Sequence, residues 1–138
     1  MLSLDRPLPK PTDISRPYWD AAKNHYLAVQ YCHHCKELIF YPRAVCPNDL
    51  RDDGLEWVRL SGKGKIYSYT VIRKAAHPAF MADTPYAYAI VELEEGLRMA
   101  SNIVDCDPET LSIGMDVEVT FDEVNEDITL PKFKLAKQ

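Results

Sequence analysis

Residues 32–49 read CHHCKELIFYPRAVCPND, and the fold turns on whether this stretch is a metal-binding ribbon. Cys32 and Cys35 form a C-x-x-C knuckle, and Cys46 opens a second one as Cys46-Pro47-Asn48-Asp49. A fourth cysteine would fall at position 49, where the chain has an aspartate. Either the Asp49 carboxylate completes a tetrahedral zinc site with three thiolates, or the loop is held by packing of Ile39, Phe40 and Val45 without metal. His33 and His34 lie inside the first knuckle, where the backbone amides turn toward the sulfurs and the imidazoles point outward, so they are not expected as ligands.

Outward from the loop, the pattern is punctuated clearly. Residues 1–14 carry Pro7, Pro9 and Pro11 and read as an extended arm. Ser15 is placed as an N-cap with Pro17 in the first turn, and Tyr18, Trp19, Ala22 and Tyr26 recur at helical spacing, which predicts a short helix over about 16–25. Leu27, Val29 and Tyr31 then alternate into Cys32, and residues 38–41 lead back out, which is a β-hairpin with the knuckle at its turn. Beyond a polar break at residues 51–54, six runs rich in β-branched and aromatic residues follow, at 55–60, 64–72, 86–93, 98–104, 117–124 and 128–133. Gly62 and Gly64 mark a close turn or bulge, and Glu94-Glu95-Gly96 a hairpin. Short strands with no long helix between them predict a mainly β chain with a small closed barrel, the five-stranded OB-fold being the common solution. The organisation expected is an arm over 1–14, a helix plus ribbon over 15–54, and an OB-fold over 55–138.

The 138 residues suit one domain with a small appended module, and the 46% apolar share is ordinary for a globular chain. No apolar run approaches the ~18 residues of a membrane span, and the first residues lack the basic-then-apolar order of a signal peptide, so a cytoplasmic protein is expected. Net charge is −5, but its distribution is uneven. Arg59, Lys63, Lys65, Arg73 and Lys74 form a basic stripe between Trp57 and Ala82 with no acid, whereas Asp83 to Asp127 carries thirteen acids against Arg98 alone. Such a chain disfavours a polyanion yet keeps room for a few phosphates.

Catalytic machinery is sparse. There is no G-x-S-x-G, no H-E-x-x-H and no phosphate loop, since Gly62-Lys63-Gly64-Lys65-Ile66 lacks the spacing and the hydroxyl. Cys106 reads as a half-buried core thiol, Glu94 and Glu95 as a solvated turn, and no catalytic residue is assigned. A free-standing enzyme using Cys106 or His77 and a single-strand nucleic-acid module using Tyr67 and Tyr69 are the competing readings, the second weakened by acidity.

In order, the helix with YWDAA, YCHHCKELIFYPR, CPND, LSGKGKIYSYTVI, PYAYAIVELEEGLRMASNIV, DPETLSIGMDVEVTFDEV and LPKF resemble a family of small proteins that accompany thiolases. These join a rubredoxin-like zinc ribbon to an OB-fold, and the likeness runs over about 15–135. The resemblance implies a non-catalytic partner of a thiolase-like enzyme, or of a hydratase or aldolase acting on acyl-CoA, in a heterotetramer or larger assembly. It implies zinc at Cys32, Cys35, Cys46 and Asp49, the last a departure from the family's frequent cysteine. It also implies that the long 73–85 loop meets coenzyme A, with Arg73 and Lys74 near its phosphates and His77 and Phe80 against the pantetheine or the partner. Tyr18, Trp19 and Tyr26 of the helix are expected to face that partner.

Overall fold

The computed structural model describes residues 7–136. Residues 7–11 of the arm have neither helix nor strand, and residues 1–6 lie outside the described residues. The helix starts from a reciprocal clasp. The Ser15 amide donates to Thr12 Oγ1 at 3.1 Å, and the Thr12 amide donates to Ser15 Oγ at 2.9 Å. Ser15 therefore turns its hydroxyl back on Thr12 and makes no side-chain cap to the helix that follows, because Thr12 reaches the position first.

Helix α1 (Arg16–Lys23) ends where Asn24 bonds back to Asp20 and Ala21 and His25 enters the left-handed region at φ 63°. Its buried face is Tyr18, Trp19, Ala21 and Ala22. The expected outward presentation of Tyr18 and Trp19 is thus corrected: at 4% and 8% exposure they belong to the chain's own core. Two large aromatics on adjacent helical positions find cover between two sheets that the pattern of α1 alone does not reveal.

Strand β1 (Leu27–Cys32) pairs antiparallel with β2 (Glu37–Ile39) on one side and β3 (Leu55–Leu60) on the other. Of the six runs read as strands after residue 54, the first thus pairs in the ribbon sheet, and five close a barrel: β4 (Lys63–Ile72), β5 (Tyr86–Leu93), β6 (Arg98–Val104), β7 (Asp116–Glu123) and β8 (Thr129–Leu135). The barrel order β4-β5-β6-β8-β7 returns to β4, with β6 and β8 parallel and the other pairs antiparallel. This is the five-stranded OB topology. Ala87, Ile103, Phe133 and Val119 are successive cross-strand partners in one layer, and fully buried Phe133 has room because small Ala87 and Ala89 face the barrel interior. Leu27, Val29 and Leu60 join the same core as Tyr18, Trp19 and the barrel residues, so ribbon sheet and barrel share one apolar interior.

Gly64 sits where three strands converge, paired with Leu93 and Val117. A Cβ there would lie 2.6 Å from the Glu92 carbonyl oxygen and 3.0 Å from Val91 Cγ1. Gly114 has open space around it and needs glycine only for its φ of 93°. Gly64→Ala should therefore destabilise by about 2–3 kcal/mol, a rigid backbone clash, and Gly114→Ala by about 1 kcal/mol, as urea melts would measure.

Candidate functional site

The first knuckle follows from the β1–β2 turn. The Lys36 amide donates to the Cys32 carbonyl at 2.7 Å with Lys36 at φ 58°, which brings Cys35 back over Cys32. The second is closed by Cys46 N–H to the Arg51 carbonyl at 2.9 Å and Leu50 N–H to the Cys46 carbonyl at 2.8 Å. Buried Gln30 pins the intervening segment to β1, accepting from the Arg43 amide at 2.7 Å and donating to its carbonyl at 2.9 Å.

These contacts gather Cys32 Sγ, Cys35 Sγ, Cys46 Sγ and a carboxylate oxygen of Asp49 within 4.8 Å of one another. Cys35 and Cys46 sulfurs are 3.5 Å apart and Cys32 Sγ is 3.6 Å from Asp49 Oδ2, with all four cysteines free of disulfides. Two sulfurs bound tetrahedrally at ~2.3 Å are separated by about 3.8 Å, so these distances fit the edges of a metal-centred tetrahedron. Burial pushes the Cys46 thiol up to about 11, against backbone amides of Asn48 and Asp49 aimed at its sulfur. Burial also raises Cys35, but hydrogen bonds led by Asn48 outweigh it and leave that thiol below its ordinary value. The Arg51 amide, donating at 3.0 Å, leads the effects that hold the Asp49 carboxyl below the usual range. A buried thiol that is disfavoured as a bare thiolate, beside oriented donors and an ionised carboxylate, is the electrostatics of a cation site. Three soft sulfurs with one oxygen select a borderline-soft divalent ion. His33 and His34 stay outside the cluster, bonded to Glu56 and to Asp53 Oδ1.

The 73–85 loop contains a 3-10 turn, Pro78–Asp83, capped by His77, whose Nδ1 accepts the Ala79 amide at 3.0 Å. His77 and Phe80 make an edge contact at 5.9 Å. Arg73, however, is ion-paired with Glu109. The basic stripe is likewise largely engaged: Lys65 meets Asp116 at 3.2 Å and Arg59 lies over the Tyr26 ring at 4.6 Å. Tyr69 donates its hydroxyl to the Leu111 carbonyl at 2.7 Å and packs on the core, and Tyr67 lies under Arg98 at 3.8 Å. Neither ring is a free stacking platform. Sequence reading passed over Tyr86 and Tyr88, although the alternation in YAYAIVEL, with Ala87 and Ala89 inward, places both tyrosines on the barrel's outer face.

No nucleophile–base pair occurs among the described residues. His25 Nε2 binds Glu123 Oε1 at 2.6 Å, and each of the other three histidines is engaged as given above. Partial burial, reinforced by Asp105 and Asp107, raises the Cys106 thiol.

What remains is a three-stranded ribbon sharing one core with a five-stranded OB barrel, the class of small mainly β proteins that join a ribbon to an OB-fold. The chain belongs to the ChsH2-type DUF35 family: residues 19–56 match the ChsH2 rubredoxin-like zinc ribbon domain and residues 57–122 the ChsH2 C-terminal OB-fold domain. It is 42% identical to a DUF35 domain-containing scaffold protein of Methanocaldococcus jannaschii, over 79% of this chain and 77% of that one. It is 37% identical to a probable enoyl-CoA hydratase alpha subunit of Thermomonospora curvata, over 95% of this chain and 40% of that protein's length. A benzoylsuccinyl-CoA thiolase subunit, BbsA, of Geobacter metallireducens is 29% identical over 81% of this chain and 75% of its own. Among solved structures, a chain of an Ltp2-ChsH2(DUF35) aldolase superposes with TM-score 0.82 at 36% identity, covering 94% of this chain and all of that one. None of the described helices is long and apolar enough to cross a membrane.

With its pKa raised, Cys106 is less ionised than a free thiol at any given pH, and the thiolate is the reacting species. Iodoacetamide should label it more slowly than an unstructured peptide cysteine at about pH 8, the gap narrowing as pH rises, as peptide mass spectrometry would follow.

Proposed function

We propose that this chain is a non-catalytic accessory subunit of an acyl-CoA enzyme complex, docking on a thiolase-type partner and helping to hold coenzyme A. The observation that carries the reading is a match over 81–95% of this chain to proteins named as a hydratase subunit, a thiolase subunit and an aldolase, in a chain whose histidines are engaged and whose Cys106 thiol is raised. A hydratase or aldolase partner is the second reading, favoured by identities of 37% and 36% against 29% for the thiolase subunit.

On this reading the 73–85 loop lies at the coenzyme A entrance. Lys74, which has no carboxylate partner among the described residues, supplies the available cation, while Arg73 would exchange Glu109 for a phosphate. His77 has its Nδ1 occupied by the Ala79 amide, leaving Nε2–H to donate toward an acceptor on the pantetheine or the partner. Phe80 offers it an apolar face. The carbon–carbon chemistry belongs to the partner's own residues.

The metal is proposed to be zinc, held by Cys32, Cys35, Cys46 and Asp49 with no open position, its role being to lock the ribbon. Protein purified without chelator should contain about one equivalent of zinc, and less than about a tenth would overturn the assignment. Asp49→Ala should speed zinc loss to a chelator, and Asp49→Cys should slow it.

Expressed alone, the chain should turn over no acyl-CoA. Co-expressed with its enzyme partner, it should co-elute as a heterotetramer or larger and restore activity. In that complex Lys74→Glu should raise KM for acyl-CoA about tenfold with kcat nearly unchanged, the loss of one charge-assisted contact in binding. Thiolytic or hydrolytic activity of the isolated chain, abolished by Cys106→Ala or His77→Ala, would make it an enzyme instead.

A further inference from the structure

OB barrels take oligonucleotides and oligosaccharides on the face of their second and third strands, between the loops that follow strands one and four. Here that face is β5 and β6 with the 73–85 loop and the end of β7, and it carries a groove of about 810 Å³. Its lining is aromatic and acidic: Tyr86 and Tyr88 stand beside Asp105, Asp122 and Glu123, with Phe80 and Asp83 at the loop side. Among the described lining residues Lys132 is the one cation, donating to Asp122 at 2.6 Å, while Glu123 pairs with His25 from outside the lining. Such a wall repels a phosphate backbone laid along it, which argues against a nucleic acid there, while Arg73 and Lys74 lie outside the lining.

The same groove is walled by Pro7 and Leu8 of the chain's own arm. The arm continues Pro7-Leu8-Pro9-Lys10-Pro11, and Arg6 precedes it in the sequence. Prolines at alternate positions fix φ, and residues that precede proline are held extended, so the segment is pre-organised for polyproline II and loses little freedom on docking. Grooves lined by aromatic rings take such helices, and a cationic segment is attracted to an acidic wall.

We propose that the OB face is a receptor for a proline-rich, cationic extended segment, and that the chain's own arm, which meets the groove at Pro7 and Leu8, is its resident occupant. The arm is a strap over the surface where this fold ordinarily takes ligands. It excludes polyanions from that surface and holds it for a segment of one chemistry. The proposal does not rest on the identity of an enzyme partner.

A fluorescent peptide with the sequence of residues 1–12 tests it by anisotropy against the full chain and against a full-length Leu8→Ser, Lys10→Glu variant. The native arm competes at the high effective concentration of a tethered segment, so the variant should bind the peptide at least about tenfold more tightly than the native chain. Tyr88→Ala in the variant background should weaken binding about fivefold or more, loss of an aromatic contact. The residue is 47% exposed, so its truncation should leave the melting temperature near that of the parent. Independently of any change to the protein, a peptide with Pro7→Gly and Pro9→Gly, or with Lys10→Glu, should bind about fivefold or more weakly. Equal affinity of the peptide for native chain and variant, no binding to the variant, or insensitivity to both Tyr88→Ala and the altered peptides would overturn the proposal. So would a variant that binds oligo(dT) in preference to the peptide.

Discussion

Tyr18 and Trp19 must both be buried from neighbouring positions on a helix of only eight residues, and the arrangement of the rest follows from how that is done. Each ring removes some 150–250 Å² from water, or about 4–6 kcal/mol apiece as an upper bound. One face of one sheet cannot cover two side chains pointing around a third of a turn apart. Helix α1 therefore wedges between the ribbon strand β1 and the barrel strands β7 and β8. The Trp19 indole N–H finds the Tyr41 hydroxyl at 2.8 Å, which also ties down the segment leading to Cys46. Leu27, Val29 and Leu60 complete the seam. The Cys32, Cys35, Cys46 and Asp49 cluster and the barrel loops are thereby fixed in one body.

Charge follows the same pattern of long-range settlement. A basic stripe and a downstream acidic half look, as a sequence, like a surface waiting for phosphate. In the fold the acids come back to the bases: Asp116 to Lys65 and Glu109 to Arg73, with Tyr26 under Arg59. Each exposed pair contributes at most about 1 kcal/mol to stability, yet together they cancel the field that would steer a polyanion. Lys63 and Lys74 are left without a carboxylate partner among the described residues.

The local rules read well from the sequence where one segment contained the whole signal. The C-x-x-C hairpin, the Glu94-Glu95-Gly96 turn and the five barrel strands each carry their own pattern. Strand β3 did not declare its sheet, because LEWVRL alternates equally well for a ribbon edge or a barrel wall and only the register Leu27↔Leu60 through Cys32↔Leu55 decides. The aromatic pair of α1 was legible as an apolar face, but whether that face meets the chain's own core or another protein depends on strands 100 residues away. Of the candidate site, the four clustered positions Cys32, Cys35, Cys46 and Asp49 came from spacing alone. The acidic groove came from no single segment, since its walls are drawn from the arm, the 73–85 loop and four different strands.

Position 49 shows how the backbone accommodates a carboxylate beside three thiols. Three thiolates and a carboxylate carry the same total charge as four thiolates, so a divalent cation leaves the same net charge and only donor hardness changes. A carboxylate brings a second oxygen, which must be given a partner or it competes for the ion in an undefined geometry. Leu50 resolves this by adopting a left-handed conformation at φ 60°, which turns the Arg51 amide back onto Asp49 Oδ1 and leaves Oδ2 facing Cys32 Sγ. For a branched non-glycine residue that conformation costs about 1 kcal/mol, and it leaves the Leu50 side chain 74% exposed. The two hydrogen bonds between Cys46 and residues 50 and 51 hold it there. Lys36, which follows Cys35, adopts the same conformation at φ 58° and donates to the Cys32 carbonyl just as Leu50 donates to the Cys46 carbonyl, so the left-handed residue belongs to the knuckle itself, and Asp49 uses it to take the Arg51 amide on its second oxygen.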